Sequence, residues 1–198
     1  MATTKTLPPE VLTQQEVMGL LDACSRRAPT GVRNRALIAL LWRSGLRISE
    51  ALALKPADVD KTQGSVRILR GKGAKARTVG IDSQTLDNLS TWLNVRKGYK
   101  IGERKALFCQ ITKGSEGAAL DTSYIRHLLP RLAAKAGITK RVHAHGLRHT
   151  HAVELLREGK NVVLIQRQLG HSSVAVTNTY LEHLNPQEVI DAVSSRVW

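Results

Sequence analysis

Four short motifs in this chain carry side chains that could act on a phosphodiester. They read SGLRISEALAL, RGKGAKAR, HAHGLRHTHAVELL and QLGHSSVAVTNTYLEH. Together they supply two guanidiniums, an amine, two imidazoles and a phenol: Arg47, Lys72, His145, Arg148, His171 and Tyr180. Two guanidiniums can clamp the non-bridging oxygens of a phosphate and stabilise the charge that develops on them in the transition state.

The remaining groups meet the other requirements for cutting DNA without a metal. A partly desolvated lysine or histidine can protonate the expelled 5′-oxygen, which is otherwise a poor leaving group. A free tyrosine has a pKa of about 10, and neighbouring cations lower that pKa and so activate the phenol as a nucleophile. A covalent phosphotyrosine conserves the bond energy, so resealing the strand needs no ATP.

The overall charge points to a polyanionic partner. The 198 residues include 30 Lys and Arg against 16 Asp and Glu, a net charge of +14. Nucleic acid is the first candidate for a field of that size, and an anionic membrane surface is the second. Aromatic residues make up 4% of the chain, which favours contact with a duplex backbone over base stacking.

The composition also limits the cellular setting. No apolar run approaches the roughly 18–20 residues that would span a bilayer, and the start, MATTKTLPPEV, lacks the apolar core of a secretory signal. The two cysteines, Cys24 and Cys109, are too few and too far apart for a disulfide or metal framework. We therefore expect a protein of a reducing cytosol, associated with DNA.

Local signals predict a mainly α-helical chain with a small β-hairpin, an α+β fold. Thr13 to Glu16 form a capping box that begins a helix, and Gly45 and Gly137 end helices. Further helices are expected over Gly31–Ser44, Ile48–Leu54, Ser83–Lys97, Asp121–Ala136 with a kink at Pro130, His145–Glu158, Val162–Leu169, Val174–His183 and Gln187–Ser195. Strands are expected over Val66–Leu69, Thr78–Ile81 and, alone, Ala106–Cys109.

The hairpin between the two paired strands concentrates positive charge. Residues 61–105 hold eleven Lys and Arg against three acidic residues, and residues 66–81 hold five cations and no anion. A solvent-exposed protein face usually carries both positive and negative charges. A hairpin with positive charges alone therefore fits an electronegative groove. Besides Lys72, its cations are the expected DNA contacts: Arg67, Arg70, Lys75 and Arg77.

Some of these residues also have plainer interpretations. Arg47 and Glu50, three apart in an apolar stretch, could share one helix face as a structural ion pair, or the guanidinium could be held still for an anion. Lys75 competes with Lys72 for the role of a proton donor. The glycines around Lys72 do not form a Walker loop, because Gly73 rather than Ser or Thr follows the lysine.

A cluster of histidines raises the hypothesis of a metal site. His145 and His149 are spaced i, i+4, and His143 and His151 flank them. A zincin motif needs Glu directly after the first histidine, and Gly146 stands there. We therefore expect no metal and no cofactor, with His149 and His151 as packing or hydrogen-bonding residues.

The segments GLRISEALAL, GKGAKAR, HGLRH and LGHSSVAVTNTY resemble the motif boxes of the tyrosine recombinase family, the phage integrases and Xer-type recombinases. The resemblance covers roughly residues 10–190, with the boxes in family order. It implies the catalytic-domain fold of that family. It also implies site-specific recombination of duplex DNA through a 3′-phosphotyrosyl intermediate, with a free 5′-hydroxyl and neither metal nor ATP.

The resemblance also implies a role for each box residue. Arg47 and Arg148 stabilise the phosphorane-like transition state, and Glu50 supports Arg47. Lys72 protonates the leaving oxygen. His145 assists proton transfer at the tyrosine, and His171 adds a hydrogen bond to the phosphate. Tyr180 is the nucleophile.

Two further activities are compatible with the same residues. One is a non-catalytic, basic DNA-binding factor that keeps the fold. The other is relaxation of supercoils in the manner of a type IB topoisomerase.

The expected domain organisation is a flexible lead over residues 1–12 and a single catalytic domain over residues 13–198. Family members usually carry an N-terminal domain that clamps the far side of the DNA, and none is visible in this sequence. Either the member resembles the small fimbrial-switch invertases, which have a catalytic domain alone, or the clamp was removed. A prokaryotic, phage or plasmid origin is expected.

The C-terminal segment NPQEVIDAVSSRVW carries an apolar stripe at helical spacing: Val189, Ile190, Val193 and Val197. This stripe either packs on its own domain or docks onto a neighbouring copy, as family members do in a synaptic tetramer.

Overall fold

The computed structural model describes residues 10–69 and 76–170 and, further on, residue 194. Its helices are α1 (Gln14–Ala23), α2 (Pro29–Ser44), α3 (Ile48–Ala53), α4 (Ser83–Gly98), α5 (Thr122–Lys135), α6 (Ala144–Arg157) and α7 (Val162–Leu169). A 3₁₀ turn over Pro56–Asp58 leads into the strands β1 (Val59–Asp60), β2 (Ser65–Ile68) and β3 (Arg77–Gly80). The predicted fold class, mainly α with a small sheet, is confirmed.

Apart from shifts of one or two residues at element ends, the described elements differ from the sequence prediction in two places. The sheet has a third strand, β1, which the sequence analysis missed because only two residues form it. The strand predicted at Ala106–Cys109 is wrong: among the described residues there, Cys109 makes only an isolated bridge to Ala119. Pro130 lies inside α5, as expected. The helices predicted over 174–183 and 187–195 lie outside the described residues, apart from residue 194.

Helix α2 is the centre of the domain. It packs against α1, α3, α4 and α6, and it is buried around most of its circumference, as a helix enclosed by others must be. Its fully buried apolar residues are Ala36, Leu37, Ile38, Leu40 and Leu41. Trp92 of α4 is fully buried and donates its indole N–H to the carbonyl of Leu107 (2.8 Å). A smaller apolar cluster joins α6 to α7.

Helix ends follow the local signals. At α1, the Thr13 hydroxyl accepts the Glu16 N–H (3.2 Å), and the Glu16 carboxylate accepts the Thr13 N–H (2.6 Å), which completes the predicted capping box. Helix α2 stops at Gly45, where φ is +63°. A Cβ at Gly45 would lie 2.6 Å from Leu169 and 2.7 Å from His151. Only glycine therefore fits this turn, which brings α2 against both α6 and α7.

The sheet is antiparallel in the order β1-β2-β3. Val66 of β2 pairs with Val59 on one side and with Val79 on the other. Along β2, Val66 and Ile68 are buried and Arg67 between them is exposed, the alternation of a sheet with one face on the core. The loop that connects β2 to β3 carries Lys72, and residues 70–75 lie outside the described residues.

The segment before α1 is attached to the domain at its end. Leu12 is buried, and its N–H donates to the hydroxyl of Thr150 on α6 (3.1 Å). The Glu10 carboxylate accepts the N–H of Arg141 (2.9 Å). Residues 10–12 therefore belong to the folded domain, and the rest of the predicted flexible lead, residues 1–9, lies outside the described residues. None of the helices described is long and apolar enough to cross a membrane.

Candidate active site

Arg47 lies at the turn from α2 into α3 and not inside a helix. Its backbone is extended (φ −67°, ψ 146°), and it is the N-terminal cap of α3, with Glu50 three residues on in the first turn. The Glu50 carboxylate reaches back to the Arg47 N–H (2.9 Å) and to its guanidinium (3.1 Å). The two residues are paired as expected, but through a helix-capping contact and not through a shared helix face. One third of the Arg47 side chain (33%) stays exposed.

Glu50 is held between two arginines. Its side chain is only 4% exposed, and its two carboxylate oxygens also accept a bidentate pair of hydrogen bonds from Arg77 of β3 (2.9 and 2.8 Å). Burial alone would raise the pKa of Glu50. The hydrogen bonds from Arg77 and the Arg47 N–H, with the charges of both arginines, hold that pKa below its ordinary value. Glu50 is therefore ionised at neutral pH and fixes both guanidiniums.

Arg148 is directed into the same region from α6. Its residue surface is 2% exposed, and its guanidinium donates to the main-chain carbonyls of Gly45 and Leu169, the latter at 2.8 Å. Gly45 stands two residues before Arg47, and Leu169 stands two residues before His171. Arg148 thus connects the segment that leads into the first motif box with the segment that leads into the last.

His145 lies in the first turn of α6, near enough to Arg148 and Arg47 for their charges to act on its ring. The residue is exposed, yet protein atoms surround the ring closely enough for desolvation to be the main cause that lowers its pKa. The positive charges of Arg148 and Arg47 lower that pKa further. His145 is therefore neutral at physiological pH and can accept a proton. Its ring is nearly parallel to that of His143 (9°), with 6.4 Å between centroids.

The structure brings together Arg47 and Glu50 at the start of α3 with His145 and Arg148 of α6, from two separate parts of the chain. The other three box residues, Lys72, His171 and Tyr180, lie outside the described residues, as do the expected DNA contacts Arg70 and Lys75. Of the two remaining expected contacts, Arg67 is exposed on β2 and Arg77 is turned inward onto Glu50. The sequence analysis missed this pairing, because 27 residues separate Arg77 from Glu50 and no local spacing links them.

No metal cluster is found in the part of the chain that the structure describes. Across residues 10–69 and 76–170, no three side chains of His, Cys, Asp or Glu are grouped closely enough to hold an ion. His145 and His149, the pair with metal-ligand spacing, differ in environment, because His145 is exposed and His149 is buried.

Comparison with known proteins identifies the family. Residues 10–187 match the phage integrase family. The chain belongs to the phage integrase family. A family member from Ralstonia nicotianae, tyrosine recombinase XerD, is 35% identical over 172 residues, which cover 87% of this chain and 55% of that relative. This chain therefore spans little more than half the length of such a relative.

Solved structures of family members share the fold. The crystal structure of XerA recombinase matches with a TM-score of 0.81 and 31% identity, over 98% of this chain and 68% of the other. XerH site-specific recombinase, bound to a palindromic difH substrate in a post-cleavage complex, matches with a TM-score of 0.76 and 31% identity, over 94% of this chain and 53% of the other. The tyrosine recombinase resemblance and its fold are confirmed.

Proposed function

We propose that this chain contains the catalytic domain of a site-specific DNA recombinase that cuts and rejoins duplex DNA through Tyr180. The observation that carries the proposal is the convergence of Arg47 and Arg148, with a neutral imidazole, His145, beside them. A family relative named tyrosine recombinase XerD and the XerH complex with its difH substrate support DNA as the substrate. The net charge of +14 supports it independently.

In the proposed reaction the Tyr180 phenolic oxygen attacks the scissile phosphorus. A bond forms from that oxygen to phosphorus, and the bond from phosphorus to the 5′-oxygen breaks, which leaves a 3′-phosphotyrosyl link and a 5′-hydroxyl. His145 accepts the phenolic proton, and Lys72 donates a proton to the departing 5′-oxygen. The 5′-hydroxyl of a partner strand then attacks the phosphotyrosine, and the same steps in reverse reseal the DNA.

The two guanidiniums account for stabilisation of the transition state. The phosphodiester carries one negative charge, and attack by the tyrosine places a further charge on the non-bridging oxygens. We assign Arg47 and Arg148 to those oxygens and give His171 a hydrogen bond to one of them. Preorganised donors of this kind typically contribute factors of about 10²–10³ each to the rate.

The nucleophile is tested by trapping the covalent adduct on a nicked suicide duplex, from which the cleaved end diffuses away. The wild-type chain should form the adduct, and Tyr180→Phe should form none while binding the same duplex with nearly the wild-type Kd, because a single hydroxyl is removed. Tyr99→Phe, at the exposed end of α4, is the control for the general effect of removing a tyrosine hydroxyl. Adduct formation by Tyr180→Phe would eliminate the assignment.

The proton donor is tested with a substrate whose bridging 5′-oxygen is replaced by sulfur. Sulfur leaves without protonation, so Lys72→Ala should slow cleavage of the ordinary phosphodiester strongly and cleavage of the sulfur substrate much less. Lys75→Ala is the matched control, since it removes the rival lysine of the same loop. If Lys72→Ala slows both substrates equally, Lys72 is not the acid.

We propose further that copies of the chain assemble on DNA as a synaptic tetramer through the apolar stripe of residues 187–198. Deleting these residues should leave binding of a single site intact in a gel shift but remove the larger complex that contains two duplexes. Wild-type amounts of that complex in the truncated chain would exclude this role. We also propose a cytoplasmic, DNA-associated protein of prokaryotic, phage or plasmid origin; the relative from Ralstonia nicotianae supports the prokaryotic part of this proposal.

A further inference from the structure

Arg77, which the sequence analysis expected to contact DNA, forms its hydrogen bonds within the candidate site instead. It begins β3, at the base of the loop that carries Lys72. Its guanidinium donates two hydrogen bonds to Glu50 (2.9 and 2.8 Å) and one to the carbonyl of Leu169 at the end of α7 (3.3 Å). A single side chain thus joins the hairpin, the first turn of α3 and the end of α7.

The charge of Arg77 is paired with a carboxylate, whereas the guanidinium of Arg148 donates to main-chain carbonyls and the Arg47 side chain stays one-third exposed. The Arg77 side chain is 15% exposed, and its Nε is buried. Arg67, on the neighbouring strand, is exposed instead. The planar guanidinium fork of arginine matches a carboxylate bidentately, and here that fork is already occupied by Glu50.

Gly170 shows how closely the guanidinium is packed against the chain that leads to His171. The glycine ends α7 with a φ of +66°. A Cβ built there would lie 2.7 Å from Cζ and Nε of Arg77 and 2.9 Å from Nη1. Any other residue at this position would therefore have to displace the guanidinium, besides straining its own backbone.

We propose that Arg77 is a positioning residue of the recombination site, which acts through Glu50 and through the end of α7. Glu50 orients Arg47, and Leu169 is also the acceptor for Arg148. Arg77 therefore holds the start of β3 against the two elements that orient the proposed catalytic guanidiniums, Arg47 and Arg148. The inference rests on the proposed function, since it concerns the geometry of that reaction.

The primary variant is Arg77→Lys, which keeps the positive charge and loses the bidentate fork. Single-turnover cleavage of the nicked suicide duplex at saturating protein should slow by at least about tenfold, because small displacements of reacting groups are costly. The Kd for the duplex, and the slope of log Kd against log salt, should stay at the wild-type values. Arg26→Lys is the matched control, since Arg26 makes an exposed ion pair with Asp22.

Gly170→Ala leaves Arg77 present but displaces it, so this variant should also slow saturated cleavage, and combining it with Arg77→Lys should add little. Three outcomes would overturn the proposal. In the first, Arg77→Lys cleaves at the wild-type rate when saturated; a salt slope lower by about one would then identify Arg77 as a phosphate contact. In the second, Gly170→Ala leaves the saturated rate unchanged. In the third, the losses of the two variants multiply in the double variant.

The design separates this inference from the proposed function. If the wild-type chain forms no covalent adduct, the proposed function fails. If the wild-type chain forms the adduct and the Arg77→Lys and Gly170→Ala variants match it, only the positioning role fails. If Arg77→Lys does not fold, the saturated rate of Gly170→Ala decides the question alone.

Discussion

We expect the stability of this domain to depend on pH through His151. It lies on α6 one turn after Arg148, is 5% exposed, and has a buried Nε2 without a hydrogen-bond partner among the described residues. It also lines a cavity of about 280 Å³ together with Arg43, Asp82 and Glu154. Burial lowers the pKa of His151 to about 4, and the positive charges of Arg43 and Arg148 add to this effect, while Asp82 opposes it.

The size of the effect follows from linkage between protonation and folding. In the unfolded chain a histidine has a pKa of about 6.5, so between pH 6.5 and 4 the unfolded state binds more protons than the folded state. Stability is therefore lost as the pH falls through this window. Complete titration would cost about 3 kcal/mol, and the step from pH 7 to pH 5 alone would cost about 2 kcal/mol.

The assay compares urea unfolding of the wild-type chain and His151→Gln at pH 7 and pH 5. The wild type should lose about 2 kcal/mol more than the variant between the two pH values, since glutamine has no proton to gain. His127→Gln, which removes an exposed histidine of α5, is the control. The reasoning would be refuted if wild type and His151→Gln lost the same free energy to within about 0.5 kcal/mol.

Two other predictions concern the helix ends. Gly45→Ala should lower the free energy of unfolding by about 2 kcal/mol or more, because alanine combines a strained φ of +63° with contacts of 2.6 Å to Leu169 and 2.7 Å to His151; wild-type stability in a urea titration would show that the turn relaxes freely. Thr13→Ala should cost about 1 kcal/mol, because it removes the hydroxyl that accepts the Glu16 N–H. A thermal midpoint unchanged by Thr13→Ala would mean that water replaces the cap.

The helices in the described part of the chain were predictable because their signals are local. The capping box at Thr13 and the stop at Gly45 each act within one turn, and both are present in the structure. The missed strand β1 has two residues, too few for an alternating pattern. The segment 106–109 is apolar enough to suggest a strand, but Leu107 and Phe108 are buried without forming a ladder. A short apolar run specifies burial more reliably than it specifies strand pairing.

For the described part of the candidate site, the sequence indicated which residues come together but not the contacts that hold them. The chemistry of a phosphodiester selects two arginines and a histidine, and Arg47, Arg148 and His145 do converge. The hydrogen bonds that hold these side chains are harder to predict from the sequence. Arg148, for example, donates to main-chain carbonyls, which every residue possesses. The Arg77 side chain that orients Glu50 comes from a strand 27 residues away. Contacts of these two kinds leave no pattern in a single sequence.

The way in which Glu50 is shared has a consequence for the net charge offered to the substrate. Arg47, Arg77 and Arg148 carry three positive charges and Glu50 carries one negative charge, so these four side chains sum to a formal +2. In the proposed reaction the pentavalent phosphorus between tyrosine and sugar is a dianion, one charge more than the uncut diester. A formal charge of +2 on these side chains equals the charge of that proposed transition state in magnitude and exceeds that of the uncut diester. We therefore expect this charge to favour the proposed transition state over tight retention of uncut DNA.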